Sequence, residues 1–171
     1  LAYLTEDRKE AGLLLDKNLP VNLTLSALDM WGFRIDTTRE KAEMTRARKD
    51  FDIRAASDDM RAGALSGGNQ QKLLLAKTML TEPEIVIIDE PTRGIDIGTK
   101  SQIYHFIDRL AREGLSVIVI SSDMPEILGL SDRVMVMRQG RMAGVLEGSE
   151  ISETAVGRLV MGTTEKAIQD A

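Results

Sequence analysis

The 171-residue chain reads as an α/β protein built on a parallel sheet. Two continuous apolar runs, Ile85-Val86-Ile87-Ile88 and Val117-Ile118-Val119-Ile120, have the length of strands, and unbroken runs of this kind predict strands covered on both faces. Between them, residues 97–113 carry Ile103, Phe106, Ile107 and Leu110 at i, i+3, i+4, i+7 spacing, one face of a helix. Strand, helix and strand in this order make a βαβ unit.

The remaining elements follow from local signals. Leu1 to Leu4 reads as the end of a strand that runs into the charged turn Thr5-Glu6-Asp7-Arg8-Lys9. Residues 22–64 are polar and helical, with Thr37 or Thr38 able to cap a helix through Arg39-Glu40-Lys41-Ala42-Glu43. Asp58, Asp59 and Gly63 mark the loop after it, so the stretch is expected to be a small helical subdomain. Ser66-Gly67-Gly68 opens a helix whose Leu73, Leu74, Leu75, Ala76, Met79 and Leu80 form a wide apolar face, and Pro83 stops it. Gly114 ends the helix over 97–113. Residues 133–137 and 142–146 flank Arg138-Gln139-Gly140-Arg141, an expected edge hairpin. A closing helix over 151–161 and a frayed tail complete the chain. The expected divisions are 1–21, 22–64, 65–162 and 163–171.

Composition narrows the function classes. Apolar content of 43% with 29% charge fits a globular protein rather than a disordered one. A net charge of −5 disfavours a nucleic-acid partner, whose phosphates reward a basic surface. Without cysteine, disulfides and thiolate metal sites are excluded. The longest apolar runs fall far short of the roughly 20 residues of a membrane span. The chain opens Leu1-Ala2-Tyr3-Leu4, without a basic segment leading into an apolar one, so no leader is read there and the chain is expected to begin inside a longer protein.

Asp89 and Glu90 end the first apolar run, the place where α/β sheets present ligands. The first carboxylate suits Mg2+, a cation content with one or two carboxylates plus phosphate oxygens. The second could orient or deprotonate a water for attack on a terminal phosphate. Alone, the pair could equally be two solvated acids at a strand end. Ser66-Gly67-Gly68 alters the balance: glycines at a helix start let backbone N–H groups approach an anion, with the positive dipole end facing it. A bare Ser-Gly-Gly would be an ordinary capped loop. The ordered set is another matter: Leu65-Ser66-Gly67-Gly68-Asn69-Gln70-Gln71-Lys72, an apolar helix, Ile87-Ile88-Asp89-Glu90-Pro91-Thr92, then Arg93-Gly94-Ile95-Asp96. Both halves of that set are associated with nucleoside triphosphates, yet no Gly-x-x-x-x-Gly-Lys-Ser/Thr loop occurs and no Gly-Lys dipeptide is present.

This set resembles the ATP-binding subunit of ATP-binding cassette transporters, over about 3–162. Leu65 to Lys72 is similar to the signature loop, Ile85 to Asp89 to the Walker B strand, Glu90 to the catalytic glutamate and Arg93 to Asp96 to the D-loop. Leu4-Thr5-Glu6-Asp7-Arg8-Lys9, Asn69-Gln70-Gln71-Lys72 and Ser121-Ser122-Asp123-Met124-Pro125-Glu126 resemble one branch, the second cassette of the duplicated ATPases of ribose-, galactose- and xylose-type importers. The resemblance implies a P-loop NTPase (RecA-like) core lacking its N-terminal part, here with the small helical subdomain. It implies ATP and Mg2+ as cofactors, with Asp89 on the metal, Glu90 and Ser122 at the catalytic position, and Leu65, Ser66, Gly67, Gly68, Gln70, Asp96 and Glu6 about the nucleotide.

In such proteins a nucleotide is sandwiched between the phosphate loop of one cassette and the signature loop of the other. Ser66, Gly67 and Gly68 would therefore cap ATP held by a partner cassette. Residues 22–64 would dock transmembrane permease subunits at the cytoplasmic face of the membrane, with a periplasmic-type sugar-binding protein acting indirectly. Trp31 and Phe33 would either touch that permease or, the commoner use of lone aromatics, pin the subdomain's own core. Two departures stand out. Glu6 occupies the position nearest the usual glutamine, and Ser122 replaces the switch histidine. Serine cannot shuttle a proton near neutral pH as imidazole does, so the site of Asp89 and Glu90 is expected to turn over poorly. The only histidine, His105, lies mid-helix in a structural setting. Two other readings compete: a soluble twin-cassette protein acting on ribosomes or DNA, and a non-catalytic module that only associates, through partners or with itself at exposed sheet edges.

Overall fold

A computed structural model describes residues 1–31 and 36–162, which fall into two compact units, 1–120 and 121–171. Phe33 and the tail 163–171 lie outside the described residues.

The first unit holds a three-stranded parallel sheet in the order β1 (Ala2–Leu4), β2 (Ile85–Asp89), β3 (Ser116–Ile120). Tyr3 pairs with Ile87 and Ile87 with Ile118, so equivalent side chains of the three strands share a face. Leu4, Val86 and Ile88 on one face are fully buried. They meet the apolar sides of α4 (Gly67–Met79), through Leu73, Leu74, Leu75 and Ala76, and of α5 (Ile97–Arg112), through Ile103, Phe106, Ile107 and Leu110. The helical periodicity in the sequence thus marked the buried side of α5 residue by residue.

The opposite face corrects the expectation of strands covered on both sides. Tyr3 is 56% exposed, Ile118 51% and Ile120 48%. An apolar run shows that a strand has no polar face, but not that both faces are covered; here helices pack against one. The βαβ unit itself is present, with β2 and β3 in parallel register from Ile85–Ser116 to Asp89–Ile120.

The helical part begins at Leu19, ahead of the expected start. It comprises α1 (Leu19–Thr24), α2 (Leu28–Trp31) and α3 (Thr37–Asp50). Asp36, not Thr37 or Thr38, caps α3, its carboxylate accepting from the N–H groups of Thr38 at 2.9 Å and Arg39 at 3.1 Å. A carboxylate satisfies two of the orphan donors at once and also suits the positive end of the dipole. Leu19, Leu23, Ala27, Met44 and Ile53 fill this part's core. Asn22, fully buried, ties it to the preceding loop. Its Oδ1 accepts from the Leu14 N–H at 2.7 Å, and its amide donates to the carbonyls of Leu14 and Asn18, each at 2.9 Å.

The second unit contains α6 (Met124–Leu130), the antiparallel pair β4 (Arg133–Arg138) and β5 (Arg141–Glu147), and α7 (Glu153–Met161). Gln139 at φ +50° and Gly140 at φ +73° turn the hairpin, and two left-handed residues in succession match the twist of its strands. The hairpin is expected as the edge of the main sheet; the structure makes it a separate two-stranded sheet. Val134, Val136 and Val156 form its core, with Ile127, Leu146 and Leu159 packed around them. Ser152 caps α7, and Gly162 at φ +73° closes it.

Candidate functional site

The site is assembled where two helices begin and one strand ends. Ser66 caps α4, its Oγ accepting from the N–H of Asn69 at 3.4 Å and from the Asn69 side-chain amide at 2.9 Å. Ser66 is exposed while Leu65 before it is buried, so the chain turns outward at the helix start. Gly67 and Gly68 occupy tight places. A Cβ on Gly67 would sit 3.0 Å from Nη2 of Arg8, and one on Gly68 would sit 2.7 Å from Cγ2 of Thr99. Gly68 is therefore required by a neighbour on its own chain, independently of any ligand, whereas at Gly67 the neighbour is the end of a flexible arginine.

Thr99 belongs to the start of α5, and the cap there is Asp96. The Asp96 carboxylate accepts from the Thr99 N–H at 3.0 Å and from its hydroxyl at 2.9 Å. These bonds hold its pKa below the ordinary 3.8, the backbone N–H contributing most. Gly68, Thr99 and Asp96 form one continuous contact between the heads of α4 and α5.

Asp89 ends β2 and accepts from the Tyr3 hydroxyl at 2.7 Å. The bond keeps the Tyr3 proton in place and raises its pKa above 10.0. Glu90 follows at φ +45°, an uncommon backbone state for a residue with a side chain, and its N–H donates to the Ile120 carbonyl at 2.8 Å. Strained residues at the ends of sheet strands are a recurrent feature of ligand sites. The chain then turns through Pro91 and Thr92, both buried, to Arg93 and Gly94.

Two expected nucleotide residues have partners on their own chain. Gln70 is 5% exposed, and its amide donates to the carbonyls of Ala62 at 3.2 Å and Leu65 at 3.3 Å. It anchors the approach to the signature-like loop from within. Glu6 forms an ion pair with Arg93, joining the turn after β1 to the turn after β2. Ser122 stands in the second unit, directly before Asp123, whose carboxylate caps α6 by accepting from the Glu126 N–H at 3.4 Å. Trp31 lies under the Arg39 guanidinium, 4.0 Å from the ring centroid, a contact within its own subdomain. A cleft of about 330 Å³ is lined by Phe51, Lys72, His105, Phe106 and Arg109 and includes none of the predicted site residues.

Sequence reasoning missed Arg8, Tyr3 and Thr99. Tyr3 and Arg8 sit far along the chain from their hydrogen-bond partners and Thr99 far from Gly68, and only Tyr3, an aromatic beside a charged turn, offered even a weak local signal. Asp89 and Glu90 can offer carboxylate oxygens to Mg2+. Among the described residues no three or more His, Cys, Asp or Glu side chains converge as a metal cluster, so such a cation would draw most of its ligands from phosphate and water.

The ABC transporter family matches residues 3–93. The chain is 46% identical over 98% of its length to ribose import ATP-binding protein RbsA 2 of Burkholderia pseudomallei (strain 1710b), and 43% identical over 96% to ribose import ATP-binding protein RbsA of Yersinia pestis. It spans 33% of the length of each. Among solved structures, a dimeric ATP-binding cassette in a post-hydrolysis state bound to ADP and Pi matches with a TM-score of 0.74, over 85% of this chain and 62% of that one. A dimeric bacterial ABC transporter cassette matches equally well, over 86% and 62%. At 18% identity these two likenesses concern the fold.

Proposed function

Because this chain belongs to the ABC transporter family, we propose that it is part of the ATPase of a monosaccharide importer and that its head of α4 closes over ATP held by a partner cassette. The observation that carries this reading is the exposed Ser66 at the glycine-rich start of α4, in a chain similar to ribose import ATP-binding proteins over nearly its whole length. Backbone N–H groups and the positive end of a 13-residue helix favour a polyanion. They do not by themselves encircle one.

The likeness to ribose import proteins over nearly the whole chain supports a pentose or hexose as cargo, and with it permease subunits as partners and the cytoplasmic membrane face as the place of work. Among the described residues no helix is long and apolar enough to cross a membrane, so attachment would run through the permease, with residues 22–64 as the docking part. Mg2+ would sit against Asp89, with Glu90 beside it, where the metal supplies charge neutralisation for phosphate oxygens. By resemblance Ser122 takes the place of the switch histidine, and a hydroxyl cannot take up a proton near neutral pH as imidazole does. The acidic balance of the chain favours this reading over one on ribosomes or DNA.

The test is reconstitution of the intact ATPase with its permease in vesicles. ATP hydrolysis that rises when a sugar-loaded binding protein is added supports the proposal. Hydrolysis stimulated instead by RNA, DNA or ribosomes overturns it.

A further inference from the structure

Arg8 connects two parts of the site that the sequence keeps far apart. Its Nη1 donates to the Arg93 carbonyl at 2.9 Å, a bond spanning 85 positions. Its Nη2 lies 3.0 Å from the point where a Cβ on Gly67 would stand, and 3.7 Å from the equivalent point on Gly94. One flat guanidinium thus fills the space between the head of α4 and the turn at Arg93–Gly94. The residue two positions earlier reinforces the link: Glu6 pairs with the Arg93 side chain while Arg8 holds the Arg93 main chain.

The backbone around Arg8 serves this placement. Asp7 accepts from the N–H groups of Lys9 at 3.1 Å and Glu10 at 3.0 Å, and Leu13 N–H reaches back to the Arg8 carbonyl at 2.9 Å in a single wide turn. Such wide turns are rare, and they redirect side chains at functional places. The arrangement carries a cost. A cation faces the positive end of α4, and the Arg8 Nε is buried with no hydrogen-bond partner among the described residues.

We propose that Arg8 is a positioning residue, holding Ser66-Gly67-Gly68 and Arg93-Gly94 at one fixed spacing so that a triphosphate presented by the partner cassette meets both loops together. This rests on the function proposed above. Lysine cannot replace it, because a point-like ammonium can bond the Arg93 carbonyl but cannot also fill the flat gap against Gly67.

The test uses Arg8→Ala and Arg8→Lys, with Lys9→Ala as a control that removes the same charge from an exposed neighbour. Amide hydrogen exchange reads the spacing directly: both Arg8 variants should quicken exchange by about tenfold at 66–69 and 92–96 together, leaving β4 and β5 unchanged. In the intact ATPase with its partner cassette, kcat should fall about tenfold or more while KM for ATP stays within about twofold, since misplacement of reacting groups acts on turnover. Millimolar methylguanidinium should restore part of the kcat of Arg8→Ala. The proposal is overturned if either loop keeps wild-type exchange, or if Arg8→Lys equals wild type in both measurements. Should Arg8→Ala fail to fold, Arg8→Lys decides by the same exchange criterion. A wild-type assembly without ATPase activity would sink the proposed function instead, and the exchange result would still judge Arg8.

Discussion

Gly68 and Thr99 stand so close that a methyl group on the glycine would overlap the threonine, at 2.7 Å from Cγ2 and 3.0 Å from the hydroxyl. Thr99 cannot swing aside, because both its N–H and its hydroxyl bond Asp96. Gly68→Ala should therefore force apart the heads of α4 and α5, costing about 1–3 kcal/mol as other overpacked contacts do. Adding Thr99→Ala should return part of that loss. Urea unfolding of the single and double variants checks this, and a loss that ignores Thr99 would place the strain elsewhere.

The Asp96 cap gives the fold an acid-sensitive contribution. Its folded pKa lies below the ordinary 3.8, so the stabilisation is fully present above that value and disappears as pH falls through the lowered one. Asp96→Ala should be less stable than wild type at neutral pH, and the gap should narrow as pH falls below the ordinary 3.8. Thermal melts on both sides of that value measure it.

Asn22 is the buried polar residue on which the loop before α1 depends. Asn22→Ala would leave the Leu14 N–H without its partner and take one of two donors from each of the Leu14 and Asn18 carbonyls, around a fully buried side chain. We expect a loss of about 2–4 kcal/mol, well above that of an exposed substitution. Chemical denaturation against Asp16→Ala, a change in an exposed ion pair, provides the comparison.

What was legible in the sequence had a local cause. The face of α5, the start of α4 at Ser66 and the turn at Gln139-Gly140 follow from spacing, capping chemistry and left-handed backbone needs, all contained within a few residues. The exposed face carrying Tyr3, Ile118 and Ile120 was not legible, since an apolar strand reads the same whether or not a neighbour covers it. Neither were the contacts that organise the site. Arg8 with Arg93, Tyr3 with Asp89 and Gly68 with Thr99 join residues that meet only after the sheet has formed. The burial of Gln70, whose amide holds the Ala62 and Leu65 carbonyls, was likewise not legible from the motif around it.

The most direct test of the central claim compares Ser66→Arg with Glu90→Gln in the intact ATPase. If the head of α4 closes over a partner's nucleotide while Asp89 and Glu90 face a weaker site, Ser66→Arg abolishes most turnover and Glu90→Gln costs much less. Equal losses from the two substitutions would contradict the account.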